Sequence, residues 1–322
     1  MKSICIVITA GLFSLWFAGC AKTLPTSGVP ASKTYEQELD IKANGFYRTY
    51  LIHVPPRYDG KSPMPLVVVI HGAFDTAAGM ETFSGFSQLA DQENFLALYP
   101  NGMGLFGWLQ HWNAGHCCGK AAKDKIDDVG FIEAAILDVR SRLRVDPNRV
   151  FVVGFSNGGM MAYRFAAEKT QSLAGGAFLA ASIGGRPSKE APEWRIPDPE
   201  APLPVIILHG MADQDVPFEG GSSKRRGGPR TYWSVMDSAA FWVKNDGCAA
   251  PPTERDGFGG RVDVISWQDC TEHTAVSLVK IKGWAHDWPG PYFTGKLPQS
   301  DPLRQFDAAK IIWDFFEATG TP

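Results

Sequence analysis

The chain is poor in histidine and cysteine, nearly balanced in charge, and free of internal repeats. Seven histidines and six cysteines in 322 residues leave little from which to build a metal centre. No Cys-x-x-Cys or His pair joins His116, Cys117 and Cys118 to complete four ligands. The expectation is no metal and no cofactor. Thirty-one Lys and Arg against thirty-four Asp and Glu give a formal net charge of -3, which offers a polyanion no attraction, so nucleic acid is excluded as a partner. The one basic cluster, Lys224-Arg225-Arg226, lies among glycines and reads as a solvated loop, with recognition of an acidic substrate as the alternative. The apolar stretch from Ile4 to Phe17 is short for a membrane-spanning helix.

That stretch follows Met1-Lys2 and ends in Ala18-Gly19-Cys20, the pattern of a signal peptide with small residues before its cleavage site. The Phe-Ala-Gly-Cys ending resembles a bacterial lipobox, although Phe17 is bulkier than the usual Leu. Residues 1–19 are therefore expected to be a lipoprotein-type leader and Cys20 a lipidated first residue, the membrane being touched only through that anchor. Residues 20–35 are small, polar and Pro-containing, as in a flexible tether. The protein is expected to be secreted or held on the outer envelope. In such an oxidising place Cys248 and Cys270 are expected to close the segment between them as a disulfide. Cys117 and Cys118 either bond each other or stay as thiols.

From Leu39 onward short apolar runs alternate with amphipathic segments, which predicts an α/β domain with a mostly parallel sheet and helices on both faces. Strands are expected near Tyr47 to Val54, Leu66 to Ile70, Phe95 to Tyr99, Val150 to Val153, Gly176 to Ala180, Val205 to Leu208 and Val276 to Ile281. Runs such as Leu66-Val67-Val68-Val69-Ile70 do not alternate, as befits strands buried on both faces. Helices are expected over Val129 to Leu143, with Asp127-Asp128 as its cap, and over Asn157 to Lys169, Ser234 to Lys244 and Phe306 to Ala318. Two inserts, Arg186 to Pro204 and Glu219 to Arg230, read as irregular surface loops.

The strongest chemical signal is Gly154-Phe155-Ser156-Asn157-Gly158 between an apolar strand and a helical pattern. In a chain with 34 glycines a bare G-x-S-x-G says little; the flanking strand and helix make it specific. A strand that turns sharply into a helix thrusts one hydroxyl clear of the backbone, and glycines on either side remove the β-carbons that would clash. A serine hydroxyl needs a base, and the base needs a carboxylate to hold it. After the strand Val205 to Leu208 comes His209-Gly210-Met211-Ala212-Asp213-Gln214-Asp215, and Asp213 is the expected acid because it lies nearer the strand end than its competitor Asp215. His209 reads as a core hydrogen-bonding group. His286, in a loop after the last strand, is the expected base; His273 lies before that strand on an acidic stretch and reads as solvent-facing. An oxyanion needs two preset N–H donors, assigned to Asn157 and to Ala73, with Gly72 as the fallback. Among the ten tryptophans, Trp112 and Trp288 are the expected substrate-binding surfaces, although most aromatics pack.

Together, His71-Gly72, the segment from Trp112-Asn113 to His116-Cys117-Cys118-Gly119, Asp127-Asp128-Val129-Gly130-Phe131, the elbow at Ser156, His209-Gly210-x-x-Asp213 and His286-x-Trp288-Pro289-Gly290 resemble the polyhydroxybutyrate depolymerase and feruloyl esterase family. The resemblance covers about Glu36 to Phe316. It implies the α/β-hydrolase fold over residues 36–322 and secreted hydrolysis of an ester, polymeric in the case of a polyester or plant polysaccharide ester. It carries the roles of nucleophile, acid and base onto Ser156, Asp213 and His286, and marks the Asp-Asp-Val and Cys-Cys segments as structural supports. The chain departs from the family at Met211, where Thr is common, at Phe218, where Tyr is, and at Trp284-Ala285-His286-Asp287, which replaces Gly-Gly-His-Thr. A serine peptidase with the same triad and a catalytically silent envelope-binding protein are the competing readings. The first lacks a propeller-like gating extension, and the second would require a broken triad.

Overall fold

The computed structural model describes residues 23–25, 27–43, 45–105, 108–225 and 228–319. The expected leader and Cys20 lie outside them. In chain order the main sheet contains β1 (Lys33–Ala43), β2 (Phe46–Val54), β3 (Met64–Ile70), β4 (Leu96–Pro100), β5 (Val145–Phe155), β6 (Gly175–Leu179), β7 (Val205–Gly210), β8 (Thr253–Gly257), β9 (Val262–Trp267) and β10 (Val276–Ile281). The spatial order of this ten-stranded sheet is β1-β2-β4-β3-β5-β6-β7-β10-β9-β8. Its middle, from β4 to β10, is parallel, and an antiparallel ribbon extends each end.

The central strands have no polar face because both faces are covered. Leu66, Val68 and Ile70 of β3 point into one core with helices α3 (Asp128–Arg142), α4 (Asn157–Glu168) and α5 (Val235–Asn245), whereas Val67 and Val69 point into a second core. That second core is closed by α1 (Ala77–Ser84), α2 (Phe86–Glu93) and α6 (Ala308–Thr319). The fold is thus an α/β hydrolase with helices on both faces. The cap expected for α3 is present: Asp127 Oδ1 accepts the N–H of Gly130 at 2.9 Å. Among the described residues no helix is long and apolar enough to cross a membrane.

Three expectations need adjustment. The tether is shorter than residues 20–35, since β1 already begins at Lys33 and Leu24 is buried in the first core. The two inserts are not irregular throughout: Trp194–Arg195 of the first and Gly221–Ser222 of the second join Gly184–Arg186 and Thr231–Tyr232 at their edges in a small four-stranded sheet. Both antiparallel ribbons gain strands that the apolar pattern did not announce. Cys248 bonds Cys270, as expected, and Cys117 pairs with Cys118.

Candidate active site

The turn from β5 into α4 is the sharpest feature of the sheet. Ser156 has φ 54° and ψ -123°, a left-handed conformation that costs a non-glycine residue of the order of 1–3 kcal/mol. Packing over-determines it. A β-carbon on Gly158 would collide with the carbonyls of His71 and Ile70, and one on Gly154 would collide with the backbone of Gly158. Glycine at both positions therefore lets α4 start close against β3. Ser156 N–H is tied to Leu179 O at 2.9 Å, which leaves its hydroxyl as the group that projects.

One imidazole reaches that hydroxyl, and one carboxylate reaches the imidazole. His286 Nε2 lies 2.8 Å from Ser156 Oγ, and its Nδ1 donates to Asp213 Oδ2 at 2.6 Å. Asp213 follows β7, and its other oxygen accepts the N–H groups of Asp215 and Val216 at 2.8 and 2.9 Å. Burial pushes the Asp213 carboxyl up, but hydrogen bonds from His209 and His286 and their charges outweigh it, so the carboxyl is held well below the usual carboxylate range. Asp213 is a fixed anion beside the imidazole. His209 Nε2 donates to Val216 O at 2.8 Å and reaches Asp213 Oδ2 at 3.4 Å, so it shapes the acid loop from below.

Asp213, Asp215 and His286 each offer a ligand-type atom within 4.8 Å of one another. The donors already on Asp213 and the Arg225 guanidinium 3.3 Å from Asp215 occupy those atoms in a hydrogen-bonded acid loop, which is poor material for a cation. Of the other histidines weighed, His273 is exposed.

Opposite the imidazole, the loop after β3 lies over the elbow. A β-carbon on Gly72 would stand 3.4 Å from Ser156 Cβ. His71 is fully buried, and burial lowers its pKa to about 4, so it is neutral. Its Nδ1 donates to Gly72 O at 2.7 Å and its Nε2 accepts Gly102 N–H at 3.0 Å. Phe74 N–H is committed to Gln110 O at 2.8 Å, which leaves Ala73 as the partly exposed residue between two anchored neighbours. On the other side Asn157 opens α4, and a first-turn amide has no acceptor within its own helix. Ala73, on the loop that approaches Ser156 at Gly72, and Asn157, next to Ser156 in the chain, are thus the candidate donors. Phe74 is 52% exposed and edge-on to His111 at 4.5 Å, and Trp108 and Leu109, on the strand whose Gln110 O accepts Phe74 N–H, are 74% and 53% exposed.

Trp112 and Trp288 do not serve as substrate surfaces. Both are completely buried, so neither presents a ring face to solvent. Trp288 packs edge-on against Phe155 and Phe86 beneath the elbow. Trp112 stacks on Phe131 and donates from Nε1 to His71 O at 2.9 Å. The side chain of Asn157 was missed as a structural member: its Oδ1 accepts Trp112 N–H at 2.8 Å and its Nδ2 donates to Trp112 O at 3.2 Å. The support expected of Asp128 is clear, since it is fully buried and pairs with Arg48 at 2.8 Å.

Known proteins resemble this chain in sequence and in fold. A protein of Nocardia uniformis subsp. tsuyamanensis named as an esterase is 27% identical over 309 residues, covering 90% of this chain and 85% of its own. Feruloyl esterase D of Neurospora crassa is 25% identical over 315 residues, covering 92% of this chain and 91% of its own. Among solved structures, an acetyl xylan esterase from Aspergillus awamori superposes with a TM-score of 0.55 at 18% identity, over 78% of this chain and 93% of that one. Residues 53–224, which carry the elbow and the acid loop, match a family as a whole: the chain belongs to the dienelactone hydrolase family.

Proposed function

We propose that this protein is an extracytoplasmic serine carboxylic ester hydrolase. The carrying observation is the unbroken relay from Ser156 Oγ through His286, 2.8 Å away, to Asp213, 2.6 Å beyond. As Ser156 Oγ attacks the ester carbonyl, its proton passes to His286 Nε2, and the anionic Asp213 stabilises the imidazolium. The carbonyl oxygen becomes an oxyanion between the N–H groups of Asn157 and Ala73. His286 then gives its proton to the departing alcohol, leaving an acyl group on Ser156, and a water activated by the same imidazole releases the acid.

The substrate is a feruloyl or acetyl ester of plant polysaccharide, or a short hydroxyalkanoate polyester. The open apolar rim of Phe74, Trp108 and Leu109 beside the oxyanion loop supports an acyl or aryl group of that kind. The relatives named as esterases support the reaction class. The leader motif ending at Cys20 supports an anchored location, which mass spectrometry of the mature N-terminus would check.

The decisive assay uses protein lacking residues 1–20 on p-nitrophenyl acetate, methyl ferulate, polyhydroxybutyrate and a peptide p-nitroanilide. Ester turnover is expected, and Ser156→Ala should lower kcat by about 10⁴-fold or more. Full ester turnover by Ser156→Ala would refute the mechanism, and turnover of the anilide alone would refute the substrate class.

A further inference from the structure

The two N–H groups assigned to the oxyanion lie on different elements, one on the loop after β3 and the other at the start of α4. Nothing in the covalent chain fixes their separation. One residue is bonded to both carriers. Trp112 Nε1–H donates to His71 O at 2.9 Å, two residues before Ala73. The same residue's backbone holds Asn157 from both ends of its side-chain amide, Trp112 N–H to Oδ1 at 2.8 Å and Nδ2–H to Trp112 O at 3.2 Å. All three bonds are buried, where a hydrogen bond is electrostatically strong and a lost partner is costly.

The indole itself has little freedom to drift. Its ring stacks on Phe131 with an interplanar angle of 17° and lies 5.0 Å from the His71 ring. The next residue, Asn113, donates its N–H to Asp128 Oδ2 at 2.7 Å, which ties the segment to the buried Arg48–Asp128 pair. The clamp therefore stands on a rigid base.

Resting on the reaction proposed above, we infer that Trp112 is a positioning residue that sets the spacing of the two oxyanion donors, with the Asn157 side chain as its second jaw. It touches no substrate. Its effect falls on the tetrahedral intermediate, because only that species places a full negative charge between the two amides. The ground-state ester, held by the rim, depends on it much less.

Trp112→Phe keeps one aromatic ring against Phe131 and removes the indole N–H together with the five-membered half of the bicycle. Asn157→Ala keeps the backbone amide and removes the other jaw. Each is expected to lower kcat by about tenfold to a hundredfold, less than outright loss of a donor, which costs about 10²–10³. KM should stay within about twofold, the pattern of an interaction made in the transition state. An alkyl boronic acid supplies the independent readout. Its boron accepts Ser156 Oγ to form one new B–O bond with no leaving group; the serine proton moves to His286, and the boronate becomes a tetrahedral anion. Its Kd should weaken in both variants by the same factor as kcat.

Trp313→Phe, a buried tryptophan on α6, is the control expected to lose stability yet keep its boronate affinity. Wild-type boronate affinity in either folded variant, or a loss confined to KM, would overturn the inference. If Trp112→Phe does not fold, Asn157→Ala decides alone. Absence of both ester turnover and a boronate adduct in the wild type would instead overturn the reading of the site.

Discussion

Two aspartates sit within reach of one imidazole, and their different surroundings separate their roles. Asp213 Oδ2 receives His286 Nδ1, while its Oδ1 is pinned by two backbone amides. Asp215 supplies one of those amides and turns its own buried carboxylate toward Arg225. In Asp213→Asn the retained carbonyl would keep accepting the amides, presenting an NH₂ group to the imidazole and forcing the wrong tautomer. The expected loss in kcat is about 10³–10⁴-fold, measured on p-nitrophenyl acetate. Asp215→Asn keeps its backbone donor, so the expected loss is less than about tenfold; a larger drop than for Asp213→Asn would exchange the two assignments. The preference for Asp213 was legible in the sequence because distance from a strand end is a chain property. The fate of Trp112 and Trp288 was not legible, because which way an aromatic ring faces is decided by what packs on it. A tryptophan near a catalytic motif is equally compatible with a substrate platform and with a brace under the loops.

At the scale of elements, the central strands were readable because residues buried on both faces form unbroken apolar runs. The ribbon β8–β9 was not, and its edge shows why: Thr-Glu-Arg-Asp-Gly of β8 is exposed along almost its whole length, as suits a sheet edge guarded by charge against pairing with another chain. That ribbon is fastened to the end of α5 by the Cys248–Cys270 bond and by Asp246, which is fully buried. Asp246 Oδ1 accepts Leu203 N–H at 3.2 Å, and its carbonyl accepts Thr271 N–H at 2.8 Å. Its Oδ2 has no partner among the described residues, and burial raises its pKa to about 6 from 3.8. The folded chain thus takes up this proton before the unfolded chain does as pH falls. Stability from this group rises as pH drops from about 7 to about 4, and the charged form is a liability above about pH 6. Asp246→Asn should therefore raise stability at pH 8 by up to about 3 kcal/mol and change little at pH 4. Urea unfolding at the two pH values tests this, and an equal effect at both would show that the charge is not what the site resists. Joint replacement of Cys248 and Cys270 by serine, which frees a loop with a sequence separation of 22, should cost about 3 kcal/mol.

Across the whole molecule, a chain of buried bonds links the site to an ion pair on another layer. Arg48 on β2 reaches through the core to Asp128 at the start of α3, 2.8 Å away, and both side chains are almost completely buried. The same guanidinium donates to Asn101 O at 3.1 Å and lies 3.7 Å from the centre of the Phe131 ring. Asp128 in turn holds Asn113, so one ion pair joins the antiparallel ribbon, the helix layer and the segment that carries Trp112. The sequence placed Asp127-Asp128 at a helix start but could not reveal the partner eighty residues earlier, since an ion pair across layers leaves no periodic trace. Breaking such a pair from one side strands a charge in the core and costs about 3–5 kcal/mol, whereas replacing both members by apolar groups of similar volume is much milder. Arg48→Met should accordingly destabilise by that amount and reduce kcat at temperatures where the variant is still folded. Adding Asp128→Leu should recover part of the stability but not the rate, because Asn113 then loses its acceptor and the tryptophan beside it loses its footing. Paired measurements of urea unfolding and of kcat on the same preparations separate the two effects; parallel recovery of both would mean that the ion pair stabilises the fold without positioning the site.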